Sequence, residues 1–445
     1  MTGTRPAEAL TAEALDSEAR PAGARPTLVL VFQRAGLPWV FEAAERAGID
    51  LVLVPRPDEE VRADRLPPGV VELLPLDPDG DRAGALELLR ARHAARPFQG
   101  ITTLYDPMVP FVAEAAELLG LPGIGHDTAL GAQDKRLMRE RLAAAGLNVP
   151  GFVRIEGPDP EPGLAAAGRL GFPVVVKPAH GYSSLGVTRA DSPAALRDVV
   201  AEVRRVCAKK LDDPAAALVV EEYLDGPEFA VESLAYGGEV RVLSVGYKGE
   251  PVGPYFEESV YRAPDTLPAA VREAVVREVT AAHAALGIGE GPTHTELRLR
   301  GGHTPYLLEM GARIGGSGAS HYVASHVSGT DLAAEALRIA VGGAPSSSAA
   351  GGLAAPVGAA ANYIVPCGGH GRITAVHGLD EVRADPRVDH VVQMLFPGDV
   401  VRPYPDFTGY PAFVLSRHDS PAEAAEFHAR LERTVRVEYA GTGGE

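Results

Sequence analysis

Thr293-His294-Thr295-Glu296-Leu297-Arg298-Leu299 runs through Arg300-Gly301-Gly302-His303 into Thr304-Pro305-Tyr306-Leu307-Leu308-Glu309-Met310-Gly311-Ala312-Arg313, and this stretch decides how the chain reads. Two β-rich runs flank a Gly-Gly turn, the pattern of a hairpin. Glu296 and Glu309 then come to stand side by side on adjacent antiparallel strands. Two facing carboxylates are unfavourable unless a proton or a cation lies between them. Few hard oxygen ligands suit Mg²⁺, which keeps coordination positions for substrate phosphates. Arg313 follows Glu309 by four residues and can clamp an oxyanion or phosphate at the same place. The bland alternative is a solvated surface hairpin, and phosphate-binding features upstream decide against it.

Composition bounds the classes of function. A chain of 445 residues holds two to four units, each able to bury a core. Hydrophobic content of 46% and charged content of 23% fit a globular enzyme. The net charge of −17 argues against nucleic acid or an anionic membrane as partner, since either needs a basic face. It leaves room for a locally positive phosphate pocket. The two cysteines, Cys207 and Cys367, are too few for a disulfide framework and lack metal-type spacing. No apolar run approaches the roughly 20 residues of a membrane span. Residues 1–26 lack a signal-peptide core and read as a flexible arm, so a cytoplasmic enzyme is expected.

Strand-like runs at 27–32, 50–54 and 100–104 alternate with helical patterns at 39–46, 84–96 and 109–119. That alternation predicts a small parallel α/β domain. Gly36 sits in the first strand-to-helix turn, but no G-x-G-x-x-G follows, so a dinucleotide site is a weak reading. Further on come a helix at 134–145, strands at 172–178 and 217–222, and a helix at 193–206. Gly, Ser, Ala and Pro dominate 342–361, which reads as a linker. Short strands and a closing helix at 421–433 follow.

Four more places carry chemistry. Lys177 ends the strand Val174-Val175-Val176, and the loop His180-Gly181-Tyr182-Ser183-Ser184-Leu185-Gly186 begins three residues later. A strand-end ammonium beside backbone N–H groups can serve one phosphate chain, with Ser183 and Ser184 adding hydroxyls. Gly181 and Gly186 permit close backbone approach. The segment Glu221-Glu222-Tyr223-Leu224-Asp225-Gly226-Pro227-Glu228 is a strand entering a turn, a hinge whose backbone can pair with adenine while Glu228 accepts ribose hydroxyls. His294 precedes Glu296 by two, shares its strand face and can line a substrate pocket, although a structural role is the competing reading. Glu257, in the loop Phe256-Glu257-Glu258-Ser259, is a candidate anchor for a substrate ammonium.

The order Lys135, Lys177 with its loop, the 221–228 hinge, then Glu296, Glu309 and Arg313 resembles the ATP-grasp superfamily across about residues 27–345. Within it the chain is most similar to the carboxylate–amine ligases of the L-amino acid ligase group. The resemblance implies an α/β fold of mixed α+β subdomains: a Rossmann-like N-terminal domain at 27–130, an ATP-grasp domain at 131–345 with a small lid at about 149–224, and a linker with a C-terminal ligase subdomain at 346–445. It implies ATP and Mg²⁺ (or Mn²⁺), small-molecule carboxylate and amine substrates, and a homodimer. Residue by residue, Lys135 and Lys177 match the lysines on the ATP phosphates, and the 180–186 loop, with Ser183, Ser184 and Gly186, matches the phosphate cover. Glu221, Glu222, Tyr223 and Leu224 match the adenine hinge, and Glu228 the ribose ligand. Glu296 and Glu309 match the metal acids, and Arg313 the arginine on the acyl phosphate. Gly315 and Gly316, with Ser317, match the loop beside the acceptor carboxyl. One position departs: Gly311 stands where many ATP-grasp enzymes carry a metal-binding Asn, which bears on how many ions the site holds.

An ATP-dependent ligase that forms an amide through an acyl phosphate follows from these parts. The competing readings are another ATP-grasp enzyme (a carboxylase or a purine-pathway ligase), a non-catalytic ATP-binding module, and an NAD-dependent oxidoreductase. The missing glycine fingerprint speaks against the last, and the full set of lysines, acids and arginine against the module.

Overall fold

The computed structural model describes residues 24–34, 39–59, 61, 66–182, 184–249, 256, 258–316, 319–346, 352–403, 406 and 409–440. Runs of Val and Leu form strands Thr27–Val31 and Asp50–Val54, which pair in parallel with each other and with Val70–Leu73 and Gly100–Thr103. Helices Trp39–Ala47 and Arg82–Ala95 lie between them in sequence and Val109–Leu119 follows the last, so the alternating pattern yields the parallel α/β sheet it predicts. Gly36 lies outside the described residues.

A second four-stranded sheet orders Phe152–Ile155, Leu218–Glu222, Val174–Pro178 and Thr188–Ala190. Helix Pro193–Lys210 covers it, with Leu196, Val199, Val200, Val203 and Cys207 buried against Val174, Val176, Leu218 and Val220. Ser192 caps that helix by accepting from the Ala195 N–H.

The largest sheet holds nine described strands, running in order from Thr304–Gly311 through Gly291–Arg300, Glu228–Tyr236, Glu239–Tyr247, Val260–Ala263, Ala359–Ile364 and Ala412–His418 to Val388–Gln393, with Gly352–Leu353 beside Glu239–Tyr247. Period-two alternation sorts its side chains. Phe229, Val231, Leu297 and Leu299 turn toward helix Ala269–Leu286 and pack with Val275, Val279, Ala282 and Leu286. Each such fully buried aliphatic contributes about 1.5–3 kcal/mol. The opposite face carries Glu228, Ala230 and Glu232 on one strand and His294, Glu296 and Arg298 on its neighbour.

The linker expected over 342–361 is only partly such. Gly352–Leu353 pairs in parallel with Arg241 and Val242, and Ala359–Ile364 is a buried strand inside the large sheet. Small side chains lowered the local hydrophobic signal there, but Ala359, Ala360 and Ala361 fit where helix Ala319–Ser328 packs closely on the sheet. The C-terminal strands therefore extend the same sheet that carries the acid pair.

Candidate active site

A cavity of about 1120 Å³ opens over the polar face of the large sheet. Its floor is Glu309 and Gly311, then His294, Glu296 and Arg298, then Glu228 and Ala230, then Lys248, Tyr261, Asn362, Ile364 and Phe413, crossing the sheet strand by strand. The second sheet and its loop supply Lys177, Tyr182, Ser184 and Leu185 on the other side.

Glu296 and Glu309 are direct cross-strand partners. The register shifts between Glu296 and Leu297, a bulge that brings Leu308 to the cavity wall as well. Each acid is held by a different lysine: Lys248 Nζ lies 2.6 Å from Glu296 Oε1, and Lys135 Nζ 3.2 Å from Glu309 Oε1. Ammonium groups thus offset the repulsion that two bare carboxylates would suffer. Among the described residues no group of three or more His, Cys, Asp or Glu is placed to hold a metal. Two half-exposed carboxylates in register suit an ion that takes its remaining ligands from water and phosphate, as Mg²⁺ does.

Lys135 begins helix Lys135–Ala144, whose N-cap is Asp134, and it reaches back to the loop after strand Val174–Pro178. Its ammonium donates to Gly181 O at 2.8 Å and its backbone N–H to Ala179 O at 2.9 Å. In the loop, Ser184 (φ 54°) and Gly186 (φ 74°) take the left-handed backbone that lets it turn back into strand Thr188–Ala190. Tyr105 donates its hydroxyl proton to the Tyr182 hydroxyl oxygen at 3.1 Å, so the loop leans on the N-terminal α/β unit. Ser183 lies outside the described residues.

Lys177 and Glu221 pair at 2.6 Å, and Arg139 Nε donates to the same carboxylate at 2.7 Å. All three are buried. Burial presses the Lys177 ammonium down to about 8, with Arg139 and Lys135 adding to the effect against the pull of Glu221. Burial opposes a charged Glu221, but Arg139 and Lys177 outweigh it and keep the carboxyl below its usual range. The Glu221 side chain is thus an internal counter-ion.

The hinge is also more occupied than its sequence suggests. Tyr223 N–H donates to Pro173 O at 3.2 Å, and Leu224 O accepts from Arg298 Nη1 at 2.7 Å. Glu222 binds Arg300. Arg298 lies over the Tyr223 ring at 5.4 Å and the Phe256 ring at 5.6 Å, stiffening this end of the cavity. Glu228 holds Arg298 at 3.0 Å and Lys248 at 2.9 Å, one with each carboxylate oxygen.

Lys248 also touches Glu258 at 2.8 Å and is the hub of the floor. Burial disfavours its charge, yet Glu228, Glu258 and Glu296 together lift its pKa well above the ordinary lysine value. Burial likewise raises Glu296, and Lys248 and His294 overturn that and hold it well below the usual carboxylate range. His294 lies between buried Glu232, which its Nδ1 contacts, and Glu296, 3.4 Å from Nε2. Burial lowers its pKa, Glu232 and then Glu296 raise it, and the result is about 9. His294 is therefore an imidazolium at neutral pH, a positioning group for the acids of the floor.

Arg313 Nε donates to Asp106 Oδ1 at 2.9 Å, so the N-terminal unit orients the arginine. A Cβ built on Gly311 would lie 3.4 Å from that Asp106 oxygen. The space an Asn would need at Gly311 is therefore shared with the Asp106–Arg313 pair. At Gly315 a Cβ would collide with Ser320 and His294, so only glycine lets the loop come this close. Gly316 lines the cavity, and Glu257 lies outside the described residues.

Lys248, Arg298, Asp106 and Glu232 escaped the sequence reading. Arg298 had a signal, since it follows Glu296 by two and shares its face. Lys248 ends the alternation Val242-Leu243-Ser244-Val245-Gly246-Tyr247, but only the strand pairing shows which acids it meets. Asp106 is brought in from the short 3-10 turn Asp106–Met108, after strand Gly100–Thr103, and carried no local signal.

Three segments of the chain match described families: the ATP-grasp N-terminal domain over 41–123, the ATP-grasp domain over 170–321 and the L-amino acid ligase C-terminal domain 2 over 364–440. The crystal structure of the L-amino acid ligase from Bacillus licheniformis superposes with a TM-score of 0.82 at 38% identity, covering 94% of this chain and 100% of that one. The D-alanine–D-alanine ligase of Methylibium petroleiphilum is 34% identical over 224 residues, 47% of this chain and 66% of that protein. The alanine–anticapsin ligase of Bacillus subtilis is 28% identical over 233 residues, 48% of each chain. The matched segment thus spans about half to just under two thirds of these two curated relatives. No helix among the described residues is long and apolar enough to cross a membrane. With matching domains along its length and a ligase fold shared from end to end, the chain belongs to the L-amino acid ligase family of ATP-grasp carboxylate–amine ligases.

Proposed function

We propose that the protein activates the carboxylate of an amino acid or related acid as an acyl phosphate, using ATP, and joins it to an amine as an amide or peptide bond with release of ADP and phosphate. The observation that carries this reading is the convergence of Lys135, Lys177, Glu296, Glu309 and Arg313 on one cavity. A carboxylate is a poor acylating agent because its leaving group is oxide. Phosphorylation supplies a good leaving group, and the amine then displaces phosphate. Glu296 and Glu309 would hold Mg²⁺ (or Mn²⁺), which neutralises charge on the transferring phosphoryl oxygens.

The chain's own groups do the rest. Arg313, oriented by Asp106, stands ready for the oxygens that gain charge, and Lys135 links the phosphate loop to Glu309. Loop 179–187 covers the cavity and keeps water from the acyl phosphate. The reading expects small-molecule substrates, a cytoplasmic setting and a homodimer. Nucleotide chromatography beside mass spectrometry tests it. ADP, phosphate and an amide should appear together, and hydroxylamine should trap the activated acid as a hydroxamate. AMP as the main product overturns the mechanism. ADP release that requires bicarbonate and gives no amide favours a carboxylase.

A further inference from the structure

Asn362 stands in the large sheet opposite Tyr261 on one side and Leu415 on the other, and its side chain lines the cavity. It is 2% exposed, and its Oδ1 has no hydrogen-bond partner. A buried amide oxygen left unpaired is costly, so a polar acceptor at such a place implies a donor that arrives with a ligand. The surroundings narrow the donor. Tyr261, its cross-strand neighbour, pairs its hydroxyl with Ser244 at 3.0 Å, and burial with Glu232 nearby pushes that phenol's pKa up. Gly246 has no side chain to obstruct the Tyr261 ring, which packs directly over it, and Asn362 and Tyr261 both line the cavity. Beyond Asn362 the wall turns apolar, with Ile364 and Phe413 on the next positions of the same face.

We infer that Asn362 is a substrate-binding residue whose amide oxygen accepts a hydrogen bond from the amino group of an amino-acid substrate, with Ile364 and Phe413 beside that substrate's side chain. This rests on the ligase reading above and deepens it. The acceptor is neutral, so it takes an N–H without drawing a metal ion away from Glu296 and Glu309. The strand that carries it belongs to the C-terminal part of the chain, which thereby contributes a wall to the reaction cavity.

The test uses the full-length enzyme and its best amino-acid pair. Asn362→Leu removes the acceptor at nearly constant shape, while Asn362→Asp keeps an acceptor and lacks the amide donor. The KM for one amino acid should rise about tenfold in Asn362→Leu, with the KM for ATP unchanged, and Asn362→Asp should restore most of it. Calorimetry of amino-acid binding, with a non-hydrolysable ATP analogue present, should show the same loss, and circular dichroism should show both variants folded. Unchanged amino-acid KM and binding in Asn362→Leu means the oxygen serves a buried water, and this overturns the assignment. Equal loss in both variants means the amide acts as a donor, which also overturns it. Should the wild type form no amide at all, the ligase reading fails first, and the binding titration alone decides the role of Asn362.

Discussion

Glu296 faces Glu309 across paired strands, yet the two carboxylates rest on different lysines, Lys248 at 2.6 Å and Lys135 at 3.2 Å. Each acid thus has a cation of its own, and their replacement should have unequal consequences.

Changing either acid to Gln should raise the Mg²⁺ requirement and slow phosphoryl transfer. In metal-free melts Glu296→Gln should lose about 1–3 kcal/mol, because it deprives buried Lys248 and His294 of a charged partner. Glu309→Gln should stay within about 0.5 kcal/mol. Calorimetric melts with and without Mg²⁺ check this, and equal melts for the two variants would count against the different roles of the lysines.

Lys177→Met should weaken ATP binding by about 1.5–3 kcal/mol. Since the folded-state pKa of Lys177 is depressed to about 8, ATP affinity of the wild type should also fall as pH rises above about 8, and the variant should be flat there. Stability moves the other way. The folded pKa lies below the ordinary lysine value, so the cost of burying this charge is relieved as pH climbs from about 8 toward about 10.4. Titration calorimetry between pH 7 and pH 9 reads the first effect.

His294 has the opposite sign. Its pKa is raised to about 9, so its contribution to stability is fully present below about 6.5 and is lost as pH rises through about 9. His294→Gln should melt roughly 2–4 °C or more below the wild type at pH 6, and the gap should narrow by pH 9.5. A gap independent of pH would show that the imidazole is neutral.

Tyr105→Phe removes one hydroxyl and with it the hydrogen bond to Tyr182. A loss of about 0.5–1.5 kcal/mol in loop closure should let water reach the acyl phosphate. ADP release should exceed amide formation several-fold, measured as the ratio of the two products. An unchanged ratio would mean the loop closes without this contact.

Much of this site was legible along the chain. The Glu296–Glu309 hairpin, the Lys177 strand end and the helix starting at Lys135 each announce themselves through local alternation, a Gly-Gly turn or a cap. What stayed hidden depends on strand order. Glu232 and His294 meet because Glu228–Tyr236 lies beside Gly291–Arg300, and no spacing in sequence encodes that neighbour. Asp106 reaches Arg313 from the 3-10 turn Asp106–Met108. The 342–361 stretch misled because Ala and Gly carry little hydrophobic signal, although Ala359–Ile364 is a central strand.

Arg139 touches three parts of the molecule at once. It sits on helix Lys135–Ala144, binds Glu221 in the smaller sheet and donates to the carbonyl of Leu308, next to Glu309 in the large one. A side chain with no solvent exposure that grips both sheets fixes one point common to them. Any shift of one sheet against the other pivots at this pin, so the Lys177–Glu221 end keeps its place beside the strand of Glu309.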